Sequence, residues 1–130
     1  MIKKTKFLIK EARLRIKYKM TKDCIFCKII NGEIPKEFIL RTDKVVAFDD
    51  INPVSAVHIL IVPTKHIDSV ETVTEAEGLD LVEIYKAAAK IVKEKNLDAF
   101  RLAFNGGKFQ HVPHLHMHLL AGSKIEWRKL

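Results

Sequence analysis

The sequence predicts an α+β fold: an antiparallel sheet of about five strands with one short and one long helix. Two stretches repeat apolar residues at helical spacing, and short β-prone runs bounded by turn residues lie between and after them. A chain of 130 residues that is 48% hydrophobic has enough apolar surface for one core. No apolar run approaches the roughly 20 residues that cross a bilayer, so we expect no membrane span and a cytoplasmic protein.

The first helix follows Cys24 and should last about two turns before Gly32 and Pro35 stop it. Residues 37–41 and 45–49 then predict a hairpin, and 58–62 predict a buried strand that Pro63 ends. Two further strands are expected at 100–104 and 114–120, separated by an Asn-Gly-Gly turn. These five runs give the predicted sheet.

The long helix should run from Thr74 to about Lys95, because Thr74 and Glu77 form a capping-box pair and Asn96 suits the helix end. Its apolar residues form two rows. The first row, expected to face the core, contains Leu81, Val82, Tyr85, Ala88, Ala89 and Val92; the second contains Ile84, Ala87 and Ile91. A wide stripe in one deep core explains both rows, and so does a homodimer in which the second row meets a partner. We expect the homodimer.

The net charge of +7 comes from one segment. Residues 1–19 hold eight basic residues and one acidic residue, so the other residues carry equal numbers of each. We therefore divide the chain into a basic extension, 1–19, and a domain, 20–130. The extension fits an edge strand, a disordered tail, or a stretch upstream of a true start at Met20. Nucleic-acid binding is expected only through this extension.

Three of the six histidines, His114, His116 and His118, alternate along the last predicted strand and so share one face. Imidazoles in such a row serve either as metal ligands or in phosphoryl chemistry near neutral pH, and spacing does not choose between these roles. Cys24 and Cys27 form a Cys-x-x-Cys pair, which with two histidines from another segment is typical of a structural zinc site. Two unliganded core cysteines are the alternative.

The run from His114 to Leu120 resembles the His-φ-His-φ-His-φ-φ motif of the histidine-triad family. Supporting motifs stand in the family's order: Cys-Ile-Phe-Cys-Lys-Ile-Ile-Asn-Gly-Glu-Ile-Pro at 24–35, Phe-Asp-Asp-Ile-Asn-Pro at 48–53, and His-Ile-Leu-Ile-Val-Pro-Thr-Lys-His at 58–66. The resemblance spans residues 24–122. It implies an enzyme of the nucleoside phosphoramidase type, which cleaves purine nucleoside phosphoramidates at the α-phosphate through a nucleotidyl-histidine intermediate and releases an AMP-like product.

The resemblance also implies roles for particular residues. His116 would be the nucleophile, with its other nitrogen held by a backbone carbonyl, and His118 and His58 would lie beside the phosphate. Asp50 would bind the ribose and Asn105 the phosphate side, and apolar walls around the base would come from Ile25, Phe26, Ile29 and Phe48. One structural zinc ion per chain would be held by Cys24, Cys27, His66 and His114.

One departure from the family pattern lies just before the triad, where Phe109-Gln110-His111 replaces Gly-Gln-Ser or Gly-Gln-Thr. The missing hydroxyl assists the leaving group in relatives, so His111 leaves the choice between amine and phosphate leaving groups open. The Trp-Pro-Pro-Gly tail of eukaryotic members is absent, and Trp127 is the aromatic residue that could take its place.

Three alternatives accompany this hypothesis. A dinucleoside polyphosphate hydrolase of the same family is the nearest. In a zinc hydrolase, His114, His116 and a third histidine would hold a catalytic metal with an open position. In a nucleic-acid-binding module stabilised by a structural zinc ion, the basic extension would bind phosphates and the triad would have no chemical role.

Overall fold

The computed structural model of the chain describes residues 23–122. The predictions for residues 1–19, Met20 and Trp127 lie outside this range. The described strands are β1 (Leu40–Arg41), β2 (Val45–Asp49), β3 (Val57–Pro63), β4 (Phe100–Phe104) and β5 (Met117–Ala121). The two α-helices are α1 (Ile25–Asn31) and α2 (Gly78–Glu94).

All five strands belong to one antiparallel sheet in the order β1-β2-β3-β5-β4. The predicted α+β class and strand number are confirmed. Strand β5 lies inside the sheet, where His118 is opposite Leu60 of β3 on one side and Ala103 of β4 on the other. The triad strand is therefore held from both sides, while β4 forms an edge of the described sheet.

The two faces of the sheet carry different clusters of buried residues. On one face, Leu115, Met117 and Leu119 join Ile84 and the rest of the buried side of α2. On the other face, Phe26, Cys27 and Ile30 of α1 pack against sheet residues that include Phe48 and Leu60. Because side chains alternate along a strand, the histidines that alternate with Leu115 and Met117 lie on the α1 side.

Helix α1 begins and ends where the sequence indicates. The Cys24 sulfur accepts a hydrogen bond from the backbone N–H of Cys27 (3.3 Å) and so caps the first turn. Gly32 adopts φ 83° at the C-cap, a left-handed conformation that glycine tolerates without strain, and its N–H donates to Ile29 and Lys28.

Two strands begin three residues later than predicted, and the other strand ends differ from prediction by at most one residue. The first strand of the hairpin is Leu40–Arg41, although Ile39 N–H still donates to Ala47 (2.7 Å) just before it. The triad strand begins at Met117 and not at His114. The backbone N–H of His114 donates to Val112 within a turn, and that of Leu115 donates to Ile67 in a loop, so this stretch bonds outside the sheet ladder.

The long helix is present, and its predicted cap is confirmed. Thr74 Oγ1 accepts from Ala76 N–H, and the Glu77 carboxylate accepts from Thr74 N–H (2.7 Å), but the first turn is a 3-10 helix over Glu75–Glu77. Lys65 lies 2.9 Å from the same carboxylate. Lys65 and the Thr74 hydrogen bonds lower the pKa of Glu77 to about 2. The helix ends at Glu94, and Asn96 takes the left-handed φ of 52°.

The assignment of the two apolar rows of this helix is only partly right, because Leu81, Ala88 and Val92 of the first row do contact the core. Ile84, Ala87 and Ile91, which we expected at a subunit interface, are buried within the chain's own core. Val82 and Tyr85, expected in the core, are 51% and 53% exposed. Spacing alone does not show which row of a helix faces the sheet. Here the sheet packs against the row of Ile84, Ala87 and Ile91.

None of the helices described is long and apolar enough to span a membrane.

Candidate functional site

Two cysteines and two histidines come together on the α1 side of the sheet, next to the end of β3. Cys24 and Cys27 come from the start of α1, His66 from the loop after β3, and His114 from the segment before β5. All four side chains are buried, and their donor atoms lie within 4.8 Å of one another. The sulfur-to-Nδ1 distances are 3.3 Å for Cys24–His114, 3.3 Å for Cys27–His66 and 3.6 Å for Cys27–His114.

These four residues fit a zinc ion. A tetrahedral zinc with bonds of about 2.3 Å to sulfur and 2.0 Å to nitrogen separates its ligands by roughly 3.3–3.8 Å. The Nε2 atom of His114 lies 2.9 Å from the carbonyl oxygen of Pro63, which can only accept, so the proton sits on Nε2. Nδ1 is then a bare lone pair facing the thiols. His66 is arranged similarly, with Nε2 2.8 Å from Asp68 Oδ1.

The electrostatics of the cluster favour a thiolate at Cys24. A hydrogen bond with the Cys27 side chain, supported by His114 and by the Cys27 backbone, lowers the pKa of Cys24 to about 3 although burial opposes this. The thiolate is the form that binds metal. Four soft or borderline donors, all buried, form a closed set that would leave no open position for a substrate.

The second group of functional side chains lies next to this cluster, and Phe26 of α1 contacts both groups. Its ring meets those of His114 and His116 edge-on, at centroid distances of 5.8 and 5.0 Å. The ring of His118 follows at 4.9 Å from that of His116. The predicted sharing of one face by the triad is confirmed, with His114 in the cysteine cluster and the other two beside it.

A main-chain carbonyl fixes the tautomer of His116. Its Nδ1 lies 2.8 Å from the carbonyl oxygen of His114, so Nδ1 carries the proton and Nε2 keeps its lone pair. Burial lowers the pKa of His116 below its ordinary value, although the hydrogen bond to His114 opposes this. The imidazole is therefore neutral at pH 7, which is the form that attacks an electrophile without first losing a proton.

His58 and His118 form a hydrogen-bonded chain with a defined direction. Val54 N–H donates to His58 Nδ1 (3.1 Å), so the proton of neutral His58 is on Nε2. That nitrogen lies 2.9 Å from His118 Nδ1 and 3.3 Å from Asp50 Oδ2, both of which accept. His118 then carries its proton on Nε2, 3.3 Å from the amide of Asn105. The amide must turn its oxygen toward this N–H group.

Burial keeps both members of this chain neutral. It lowers the pKa of His58, against the attraction of Asp50, and it lowers the pKa of His118 to about 4, with His116 and His58 adding to the effect. Asp50, His58 and His118 lie close enough to suggest a second metal site. However, His58 already uses its one lone pair to accept from Val54, so it has none to offer a metal.

The residues predicted to bind the nucleoside fall into two groups. Asp50 lies beside His58, and its Oδ1 accepts from Asn52 N–H (2.8 Å), which fixes the loop after β2. Ile25 is 46% exposed and available to a ligand. Three further residues are buried in the cluster below α1: Phe26, Ile29 and Phe48.

His111 is exposed, and burial, not His111, is the main reason why the pKa values of His116 and His118 are low. The positions of the histidines also argue against the zinc hydrolase, in which His114 and His116 would hold a catalytic metal. Among residues 23–122, His116 belongs to neither group of potential metal ligands, whereas His114, which the alternative pairs with it, belongs to the group of Cys24, Cys27 and His66.

The carbonyl expected beside the second nitrogen of His116 belongs to His114. Sequence reasoning missed the other main-chain groups that set the tautomers, namely Val54 N–H and the carbonyl of Pro63. A backbone group leaves no trace in residue identity. Pro63, the last residue of β3, is the only hint, since the ladder between β2 and β3 stops there and its carbonyl can accept from another group.

The chain is similar to several known proteins. A family model described as "Scavenger mRNA decapping enzyme C-term binding" matches residues 23–129. The purine nucleoside phosphoramidase of Escherichia coli is 39% identical over 110 residues, which cover 82% of this chain and 92% of that protein. The chain belongs to the histidine-triad (HIT) family. The HIT relative in Brassica juncea named "14 kDa zinc-binding protein" is 40% identical over 81% of this chain and 97% of its own length.

A solved structure of a HIT family hydrolase from Clostridium thermocellum matches with a TM-score of 0.80 and 37% identity, covering 85% of this chain and all of that one. The predicted family is therefore confirmed, and so is the prediction of an enzyme, a hydrolase of the HIT type.

Proposed function

We propose that this HIT hydrolase cleaves purine nucleoside phosphoramidates at the α-phosphate through a nucleotidyl intermediate on His116. The observation that carries the proposal is the contact between His116 Nδ1 and the carbonyl of His114. It leaves Nε2 as a lone pair on a neutral, buried imidazole. The identity to the E. coli purine nucleoside phosphoramidase supports the choice of substrate class.

In the first step Nε2 of His116 attacks phosphorus, and the P–N bond to the leaving amine breaks as the amine takes up a proton donated by the site. In the second step the hydroxyl of water attaches to phosphorus, the bond to His116 breaks, and the proton from water returns to the site. Two easier displacements thus replace one difficult hydrolysis. The N–H group of His58 is used within the chain, but the N–H group on Nε2 of His118 ends the chain. It is positioned before substrate arrives, so it stabilises charge on a phosphoryl oxygen without reorganisation.

We assign the nucleoside to the side of the site formed by Asp50 and Ile25. Asp50 is anchored by its own loop and presents a carboxylate that can accept from ribose hydroxyls. Asn105, at 3.3 Å from His118, is suited to the phosphate side. Ile25 offers exposed apolar surface for the base, while Phe26, Ile29 and Phe48 support it from below.

A structural zinc ion, one per chain, completes the proposal. Cys24, Cys27, His66 and His114 would hold it, and a filled tetrahedral set of this kind stabilises the fold and leaves catalysis to other groups. The zinc-binding relative supports this assignment. Because His114 also supplies the carbonyl that orients His116, the metal site and the nucleophile share one residue.

We also propose a homodimer, now formed by the other face of α2. Leu79, Val82 and Tyr85 are exposed apolar residues on this helix, and Phe100 of the edge strand β4 is 43% exposed. Tyr85 lies 6.4 Å from the Phe104 ring of β4, so the helix face and the strand are neighbours. A cytoplasmic location and a role for residues 1–19 stay predictions from the sequence.

A panel of nucleotides tests the reaction. Adenosine phosphoramidate should release AMP, whereas faster cleavage of a dinucleoside polyphosphate would favour the family alternative. Enzyme quenched at alkaline pH during the first turnovers should carry one nucleotidyl group by intact mass, since phosphorus–imidazole bonds survive those conditions. The adduct accumulates when the second displacement is the slower one, which a burst of amine release reveals. Absence of the adduct from His116 in an enzyme that shows such a burst would contradict the covalent mechanism.

A further inference from the structure

Asp68 is not one of the four clustered residues, but it contacts one of them, His66. Its Oδ1 lies 2.8 Å from Nε2 of His66, whose Nδ1 is 3.3 Å from the Cys27 sulfur. The two side chains differ sharply in exposure, with 4% for His66 and 56% for Asp68. A carboxylate at the protein surface thus reaches the outer nitrogen of a buried imidazole.

The main chain around Asp68 is tied to the segment that carries the other histidine of the cluster. The side-chain N–H group of Gln110 donates to the carbonyl oxygens of Asp68 (2.8 Å) and Val112 (3.0 Å). Leu115 N–H donates to the neighbouring carbonyl of Ile67 (2.6 Å). The adjacent carbonyls of Ile67 and Asp68 therefore accept hydrogen bonds from Leu115 and Gln110, which lie on either side of His114 in the sequence.

The two histidines are oriented by different kinds of group. His114 donates to the main-chain carbonyl of Pro63, a contact that does not depend on any side chain other than its own. His66 donates to a side chain, and so its orientation depends on the identity of residue 68. A carboxylate in this position fixes the ring, sets the tautomer and makes the opposite nitrogen a stronger donor to a metal.

We propose that Asp68 is a positioning residue for the metal site, holding His66 with Nδ1 directed at the position between the cysteine sulfurs. Gln110 supports it by fixing the Asp68 main chain against the His114 segment. This inference rests on the proposed set of zinc ligands and is independent of which nucleotide the enzyme cleaves.

The test compares zinc affinity in the full-length wild type, Asp68→Ala and Asp68→Asn, measured by competition with a chromophoric chelator. Loss of such an outer contact weakens metal binding by about 10–100-fold, and we expect this range for Asp68→Ala. Asp68→Asn keeps an oxygen that accepts from His66 and should recover most of the affinity. Asp98→Ala is the matched control, because Asp98 is also exposed and lies in the loop between α2 and β4.

Two further measurements separate positioning from a general structural role. Cobalt(II) bound in place of zinc should show altered d–d bands in Asp68→Ala and near-normal bands in Asp68→Asn, because these bands report ligand geometry. The melting temperature of the metal-free protein should be the same in wild type and Asp68→Ala, since the side chain is more than half exposed.

The inference is overturned if Asp68→Ala binds zinc within twofold of wild type, if Asp98→Ala loses as much affinity, or if the wild type binds no zinc. A fall in the metal-free melting temperature that accounts for the lost affinity would overturn it as well. Failure of the proposed function would be seen elsewhere. A wild type that binds zinc but cleaves none of the nucleotide panel overturns that function while supporting this assignment of Asp68.

Discussion

The Nδ1 atom of His116 lies 2.8 Å from the carbonyl oxygen of His114, while the side chain of His114 points away into the cysteine cluster. One residue therefore contributes to two sites, through its main chain to the nucleophile and through its side chain to the proposed metal. The contact also determines which nitrogen of His116 can react, because a carbonyl accepts and so the proton must be on Nδ1.

Replacing His116 by Ala should lower kcat by roughly 10³–10⁶-fold, because the covalent step loses its nucleophile. The deleted ring leaves a gap beside Phe26 and should cost about 1–3 kcal/mol of unfolding free energy, leaving the protein folded. Hydrolysis of adenosine phosphoramidate and a thermal melt measure the two effects, with Asp98→Ala as the control. Turnover close to wild type in a folded His116→Ala protein would rule out the mechanism.

Sequence prediction succeeded for the positions of strands and helices, and it failed where tertiary packing or main-chain hydrogen bonds decide the outcome. Strand and helix positions followed from periodicity and caps, and Phe100–Phe104 was predicted to the residue. The direction of α2 was not, because Val82 and Ile84 are equally apolar and only packing against the sheet distinguishes them. The start of β5 was missed because His114 bonds to a turn, a choice made by the main chain that its residue type does not reveal.

The corrected helix face leads to a sharper test of the dimer. Val82→Glu with Tyr85→Glu should give a folded monomer, because both positions are about half exposed and four carboxylates across a two-fold axis repel. Ile84→Asp should instead unfold the chain, since it buries an unpaired charge at a position with 0% exposure. Light scattering and circular dichroism report the two outcomes. Wild type that is monomeric at micromolar concentration, or a double variant that stays dimeric, would refute this interface.

Cys24→Ala should abolish stoichiometric zinc binding and lower the melting temperature of the metal-loaded protein, because binding to a preformed site contributes to folding free energy. Cys24 also caps α1, and loss of a cap costs about 1 kcal/mol by itself. The comparison must therefore include wild type stripped of zinc by a chelator. If Cys24→Ala and the zinc-stripped wild type both have the same melting temperature as the zinc-loaded wild type, the metal site makes no contribution to stability.

The depressed pKa of His118 predicts a loss of stability in acid. Its folded pKa is about 4, against about 6.5 for an unperturbed histidine, because burial disfavours the charged ring. Below pH 6.5 the unfolded chain binds a proton at this position that the folded chain does not. Stability gained from this group is therefore complete above pH 6.5 and decreases as the pH falls toward 4.

His118→Gln isolates this effect, since glutamine is polar, does not titrate, and can still bond to His58. The slope of unfolding free energy against pH, measured by urea melts between pH 6.5 and 5, should be smaller in the variant by about one proton. Carboxylates add little in this window because their ordinary pKa values lie below it, and other groups contribute equally to both proteins. Equal slopes would mean that the folded state binds this proton as readily as the unfolded chain, so that burial does not lower the pKa of His118.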